Sequence, residues 1–231
     1  LHHPQPEQVG GHMELTLSSP FDYREAYPYL GIRGTPGQAV EALTHECARK
    51  LTGAARPQGV YRVFALDGMA LRATTLVFEG EDIKKHLAGC HACLLFAVTL
   101  GAAADELIRA AQVDDMAAAV TLDACASRYL EALCDDWCAR LRETFSSEGE
   151  LLTTFLSPGC GDLPMELQSG VLTLLDAGRQ AGITATSSQM LLPQKSLTGV
   201  IGLHHGGGEG LARGCAHCSF APRCAYRGKC R

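Results

Sequence analysis

Four cysteines near the end of the chain carry a spacing suited to a metal. Cys215, Cys218, Cys224 and Cys230 recur as C-x2-C-x5-C-x5-C in CAHCSFAPRCAYRGKC. Thiolates are soft donors and a C-x2-C pair bites one ion from two sides, so four in so short a span can enclose a soft metal centre unaided. Zinc sites usually pair two short bites, whereas one bite followed by longer gaps is more typical of iron–sulfur ligation. The spacing predicts a [4Fe–4S] cluster, with zinc as the alternative and His217, inside the bite, as a substitute ligand. Arg223, Arg227 and Lys229 would offset the thiolate charge. A segment this poor in aliphatic residues has no core to order it, which favours a metal staple over free thiols.

A second stretch, FLSPGCGDLP at residues 155–164, places Ser157, Pro158, Gly159, Cys160 and Gly161 ahead of a helical pattern. Glycine has no Cβ, so a ligand can approach such a loop closely, and the first N–H groups of the following helix are unpaired. The same composition also suits a bare connector. Asp162 is placed to cap the helix and Pro164 to occupy its first turn. Upstream, Arg128, Glu131 and Asp135 fall at i, i+3 and i+7 of a long helical pattern and share one face. A solvated face is the plain reading. The alternative lets Glu131 meet the ammonium group of a ligand seated at the loop.

The remaining cysteines suit packing. Cys90 and Cys93 form another C-x2-C, but they sit where a helical pattern gives way to an apolar strand, with no second bite nearby. Cys125, Cys134 and Cys138 lie at helical spacing, and Cys134 falls on the apolar stripe. G-x-S-x-G, P-loop and G-x-G-x-x-G motifs are absent, and HHGGGEG reads as a linker because nothing helical follows it.

One large domain has to position these groups. The 231 residues are 46% hydrophobic, enough to bury a core. A net charge of −5 without clustered Lys or Arg argues against nucleic-acid and anionic-lipid partners. No apolar run is long enough for a membrane helix and no signal-peptide pattern opens the chain, so a cytoplasmic protein with reduced thiols is expected. The polar leader, residues 1–12, is expected outside the fold. The main domain is expected over 13–203, a Gly-rich linker over 204–213 and the metal-bound tail over 214–231.

Helical spacing covers residues 22–30, 38–51, 81–90, 102–112 and 114–145. The last carries Leu130, Leu133, Cys134, Trp137 and Leu141 on one stripe. VYRVFAL and LRATTLVFEG predict a hairpin about Asp67 and Gly68, ACLLFAVTLG a buried strand, and LLTTFLS, ITATSS, LLPQKS and LTGVIGLHH further strands. A single helix is expected from Pro164 to Gly182. Without strict β-α alternation, the pattern favours an α+β fold with an antiparallel sheet.

Five segments add a resemblance. PYLGIRG (28–34), HLAGCHACLLFAVTLGAAAD (86–105), DMAAAVTLDACASRYLEALCD (115–135), SPGCGDLPMELQ (157–168) and LLPQKSLTGVIGL (191–203) resemble, in order, the activation domain of cobalamin-dependent methionine synthase. Its stand-alone forms in anaerobic bacteria are the more specific likeness. Over residues 13–203 the resemblance implies a twisted antiparallel sheet with flanking helices. It implies a protein that binds S-adenosylmethionine and presents it to a cobalamin module, so that inactive cob(II)alamin, reduced by one electron from a separate donor, is remethylated.

In that family the loop runs R-x-[SA]-P-G-Y, the Arg contacting the carboxylate of S-adenosylmethionine and the Tyr also reaching the ligand. Phe155 and Cys160 stand at those positions here. Loss of a bidentate guanidinium contact is expected to weaken binding by about 2 kcal/mol. Ser157, Pro158, Gly159 and Gly161 keep the loop backbone, and Glu131 aligns with a family carboxylate that meets the methionine ammonium. The implied partner is a cobalamin-binding methionine synthase or related corrinoid protein, with the Cys-rich tail as electron relay. A non-catalytic binding or scaffold module with a structural zinc tail is the alternative.

Overall fold

The computed structural model describes residues 10–13, 15–205 and Pro222. A short strand β1 (Gly10–His12) precedes a 3-10 helix (Tyr23–Leu30), α1 (Gln38–Ala54), β2 (Gln58–Asp67), β3 (Ala70–Leu71) and α2 (Glu81–His86). Then come β4 (Ala92–Thr99), α3 (Ala102–Asp114), α4 (Met116–Ser147) and β5 (Glu150–Leu156). The described chain ends with α5 (Leu167–Leu175), α6 (Ala177–Ala181), β6 (Thr184–Ala185), β7 (Leu191–Leu192) and β8 (Ser196–His205). The main sheet runs β1-β2-β4-β8-β5, antiparallel throughout, with β3 paired to the end of β2; β6 and β7 pair separately. This is the α+β fold with an antiparallel sheet and flanking helices that the sequence predicts.

β4 shows why the sheet has helices on both sides. All eight of its residues are buried. Ala92, Leu94, Phe96 and Val98 face a core shared with α1, α3 and α4, while Cys93, Leu95 and Ala97 face a second core shared with α2, α5 and α6. A strand covered on both faces reads as a continuous apolar run rather than an alternating one. Across the first face lies α4, whose buried Leu130, Leu133, Cys134 and Trp137 follow the expected stripe. Trp137 meets Phe96 at 5.3 Å between ring centroids. Asp115 separates α3 from α4 and caps the latter, its carboxylate accepting from Ala118 N at 3.0 Å.

Several local expectations change. Gly10–His12, placed outside the fold by the sequence reading, pair with Val60 to Arg62 of β2. The second hairpin strand shrinks to Ala70–Leu71, because Thr74 Oγ1 donates to Leu71 O at 3.0 Å and accepts from Leu76 N at 3.2 Å, turning the chain. Pro28 lies inside a 3-10 rather than an α segment. The helix expected over 164–182 begins at Leu167 and splits at Asp176, which is left-handed at φ 51. The strands expected in ITATSS and LLPQKS reduce to two residues each.

A bulge interrupts β5 beside its central neighbour. The β5–β8 register shifts between Leu152 and Phe155. Buried Thr153 compensates, its Oγ1 accepting from Gly202 N at 2.8 Å and lying 3.0 Å from His86 Nε2. Burial pushes the His86 imidazole below its ordinary value, against smaller upward effects of backbone hydrogen bonds at Val200 and Thr154. The bulge thus ties β5 and β8 to α2 four residues ahead of the Gly/Pro loop.

Candidate functional site

α4 carries the acidic half of the predicted site, and the 3-10 helix covers it. Tyr29 Oη donates to Glu131 Oε2. The side chain of Arg128, only 18% exposed, donates through Nε to Glu25 Oε2 at 2.7 Å, and its Nη1 lies 3.8 Å from both Glu131 and Asp135. The acids of this face stay exposed, Glu131 at 43% and Asp135 at 47%, as a solvated face would have them, and the face also carries an ion cluster joined to a distant element. Three carboxylates, Glu25, Glu131 and Asp135, surround one guanidinium, so the cluster keeps excess negative charge. That charge can receive an ammonium group, and a carboxylate has more acceptor sites than Tyr29 and Arg128 occupy.

The same stripe of α4 continues one and two turns earlier with Ser127 and Asp123, at i−4 and i−8 from Glu131. Lys195 Nζ, with its side chain 14% exposed, reaches Asp123 at 2.8 Å and donates to Ser127 Oγ at 3.0 Å. Asp105 fixes this segment by accepting from the backbone N–H groups of Gln194 at 2.5 Å and Lys195 at 3.2 Å. Tyr29, Asp123 and Ser127 line a cleft of about 250 Å³ together with Met116, Val120 and Ala124. Sequence reasoning misses Lys195, Asp123 and Tyr29 as neighbours. The i, i+4 recurrence of Asp123, Ser127 and Glu131 was the one local signal that could have brought Asp123 to the site; nothing local marks Lys195 or Tyr29.

The Gly/Pro loop is folded on itself and clamped to α2. Cys160 N donates to Ser157 O at 2.9 Å, Leu163 N to Cys160 O at 3.1 Å and Gly159 N to Leu163 O at 2.9 Å. Asp162 does not cap the helix that follows it. Its carboxylate instead accepts from Glu81 N at 2.6 Å and Asp82 N at 3.0 Å, capping α2 from outside. Burial acts to raise the Asp162 carboxyl, but these two backbone donors prevail and hold it below its usual value. Gly161 has a left-handed φ of 57, and a Cβ there would collide with the Asp82 carboxylate. The loop is a fixed platform, with Cys160 exposed and the Ser157 hydroxyl buried without a hydrogen-bond partner among the described residues.

The predicted residues thus stand on two separate elements, α4 and the loop after β5. Glu131 is held by the 3-10 helix and Arg128, the loop by α2, and α4 packs along β5, which delivers the loop. Phe155 turns toward the core, meeting Phe96 edge-on at 5.4 Å and 83°. No guanidinium is supplied from that position. Burial raises the thiol of Cys90 to about 11 and pushes that of Cys93 up further, so both stay protonated at neutral pH, as packing residues should. Cys215, Cys218, Cys224 and Cys230, and with them the predicted cluster site, lie outside the described residues.

An antiparallel sheet between two helical layers, with a Gly/Pro loop leaving the edge strand β5 and an acidic face on α4, defines a class of fold. Among solved structures, the chain is similar to a crystal structure of the MetH reactivation domain bound to AdoHcy, at TM-score 0.63 and 18% identity, covering 87% of this chain and 80% of that one. The chain has the fold of that reactivation domain, in agreement with its motif resemblance to the methionine synthase activation domain. No protein-family model matches it. No curated protein matches it either. Among the described residues, no helix is long and apolar enough to cross a membrane.

Proposed function

We propose that this protein reactivates a cobalamin-dependent methionine synthase or a related corrinoid methyltransferase. The observation that carries the reading is the fold, shared over 87% of the chain with a domain that binds AdoHcy, together with an acidic cluster at Glu131 that suits an ammonium group. In this reading the ligand is S-adenosylmethionine. Cob(II)alamin on the partner takes up one electron to give cob(I)alamin, which attacks the sulfonium methyl. The products are methylcobalamin and S-adenosylhomocysteine.

This chain's own groups would orient the methyl donor. Glu131 would hold the ammonium, and the Gly159 and Gly161 platform would let the ligand approach the backbone. Ser157 Oγ, buried and without a partner among the described residues, would donate to it only if the loop shifts to expose the hydroxyl. The four tail thiolates are a donor set that fits an iron–sulfur cluster, and when bound such a cluster supplies a low-potential one-electron couple.

Metal analysis and the absorption spectrum of anaerobically purified protein test the relay. Iron and sulfide, a band bleached by dithionite and a paramagnetic signal on reduction are expected. A colourless protein loaded with zinc sinks the relay and leaves the second reading. In that reading the protein is a binding or scaffold module with a structural zinc tail, and the core-facing Phe155 in place of a ligand-binding Arg is the observation that favours it. Calorimetry with S-adenosylmethionine separates the two, since a scaffold gives no heat at millimolar ligand.

A further inference from the structure

Three ligand-bearing side chains meet at the end of the sheet away from the loop. His91 immediately precedes β4, Glu150 opens β5, and His205 closes β8 directly opposite Glu150 in the strand register. His91 is anchored by its N–H donating to Leu203 O at 3.0 Å. Glu150 Oε1 lies 3.4 Å from His91 Nε2 and 3.1 Å from His205 Nδ1, and one donor atom from each residue falls within 4.8 Å of the others. Among the described residues, His91 Nδ1 and Glu150 Oε2 are buried with no hydrogen-bond partner, so nothing described offsets their desolvation.

From this geometry we infer that His91, Glu150 and His205 form a zinc site with three protein ligands and a fourth position open to water. Two neutral imidazoles and one carboxylate carry a single negative charge that attracts a divalent cation, and this is a donor set that zinc takes. A tetrahedral site with bonds of about 2.0 Å has edges of about 3.3 Å, and the two Glu150 separations bracket that length. One adjustment is required. The imidazoles of His91 and His205 stack at 4.0 Å and 7°, and parallel rings cannot both aim a lone pair at one ion. His205, with its side chain 70% exposed, is free to rotate, while the more buried Glu150 and His91 keep their places. Bound zinc would then pin the last residue of β8 to β4 and β5.

The test uses the full chain with Cys215→Ser, Cys218→Ser, Cys224→Ser and Cys230→Ser, so that tail thiols do not compete. Zinc is titrated against a chromophoric chelator, and the melting temperature is read with zinc and with EDTA. The expected result is one tight equivalent per chain and a melting temperature raised by zinc. Further substitution of His91→Ala or Glu150→Gln should weaken that equivalent by about 100-fold or more while leaving the melting temperature in EDTA unchanged. His205→Ala should weaken it as well. Absence of a tight equivalent, or one that survives both His91→Ala and Glu150→Gln, overturns the site. Should His91→Ala lower the melting temperature in EDTA, Glu150→Gln, which keeps the side-chain shape, decides the matter.

Discussion

Phe155 and Cys160 hold the largest single consequence for binding. A guanidinium at position 155 would match a ligand carboxylate bidentately, whereas the phenyl ring sits edge-on against Phe96. Phe155→Arg combined with Cys160→Tyr should strengthen S-adenosylmethionine or S-adenosylhomocysteine binding by about tenfold or more, read by calorimetry. Some stability is lost in exchange, about 1 kcal/mol for the aromatic pair. Glu131→Gln should act in the opposite direction, weakening the same ligands by about tenfold because the ammonium loses a charged acceptor. If Glu131→Gln leaves affinity unchanged, the cluster of Glu25, Arg128, Glu131 and Asp135 only fastens the 3-10 helix to α4.

Among the elements, α2 is the one most dependent on its neighbours. Six residues cannot hold a helix in water by themselves, and its first N–H groups are capped from outside by Asp162. Asp162→Ala should destabilise the fold by about 1 kcal/mol and loosen the loop with it, measurable as a lower melting temperature and faster amide exchange at Glu81 and Asp82. Because the Asp162 carboxyl is held low in the folded state, its contribution is present at neutral pH and fades only below its ordinary unfolded value, about 3.9.

His86, at the other end of α2, has the opposite charge type and titrates in a more accessible range. Burial lowers its folded value, so the unfolded chain binds the proton more readily. Stability should therefore be full above the unfolded value of about 6.5 and fall as pH drops through the folded one. Denaturant melts at pH 7.5 and 5.0 should show this loss, and His86→Gln should flatten it.

The whole molecule is organised about β4, which belongs to both cores. Leu94 faces the α4 layer and Leu95 the α5 layer, and both are fully buried. Leu94→Ala and Leu95→Ala should each cost about 2–5 kcal/mol. Since one strand carries both faces, either substitution should shift a single unfolding transition seen equally by near- and far-ultraviolet circular dichroism. Separate transitions would mean that the two layers fold independently.

Much of this architecture was legible beforehand. The β4 run and the α4 stripe announce themselves because burial imposes hydrophobic patterns on contiguous residues, and the face shared by Arg128, Glu131 and Asp135 follows from helical geometry alone. The spacing of the loop glycines likewise marks a turn that needs left-handed backbone. Partners distant in sequence left no such trace. Tyr29 reaches Glu131 across 102 positions and Asp162 caps a helix 81 residues upstream. Glu150 faces His205 only because β5 pairs with β8. The sequence by itself determined the long helices and central strands and which side chains carry ligand or metal chemistry, since those depend on local period and side-chain type. Which carboxylate caps which helix, where Phe155 turns and which histidines meet were decided by the tertiary structure. Those outcomes depend on strand order and layer packing, which no local pattern encodes.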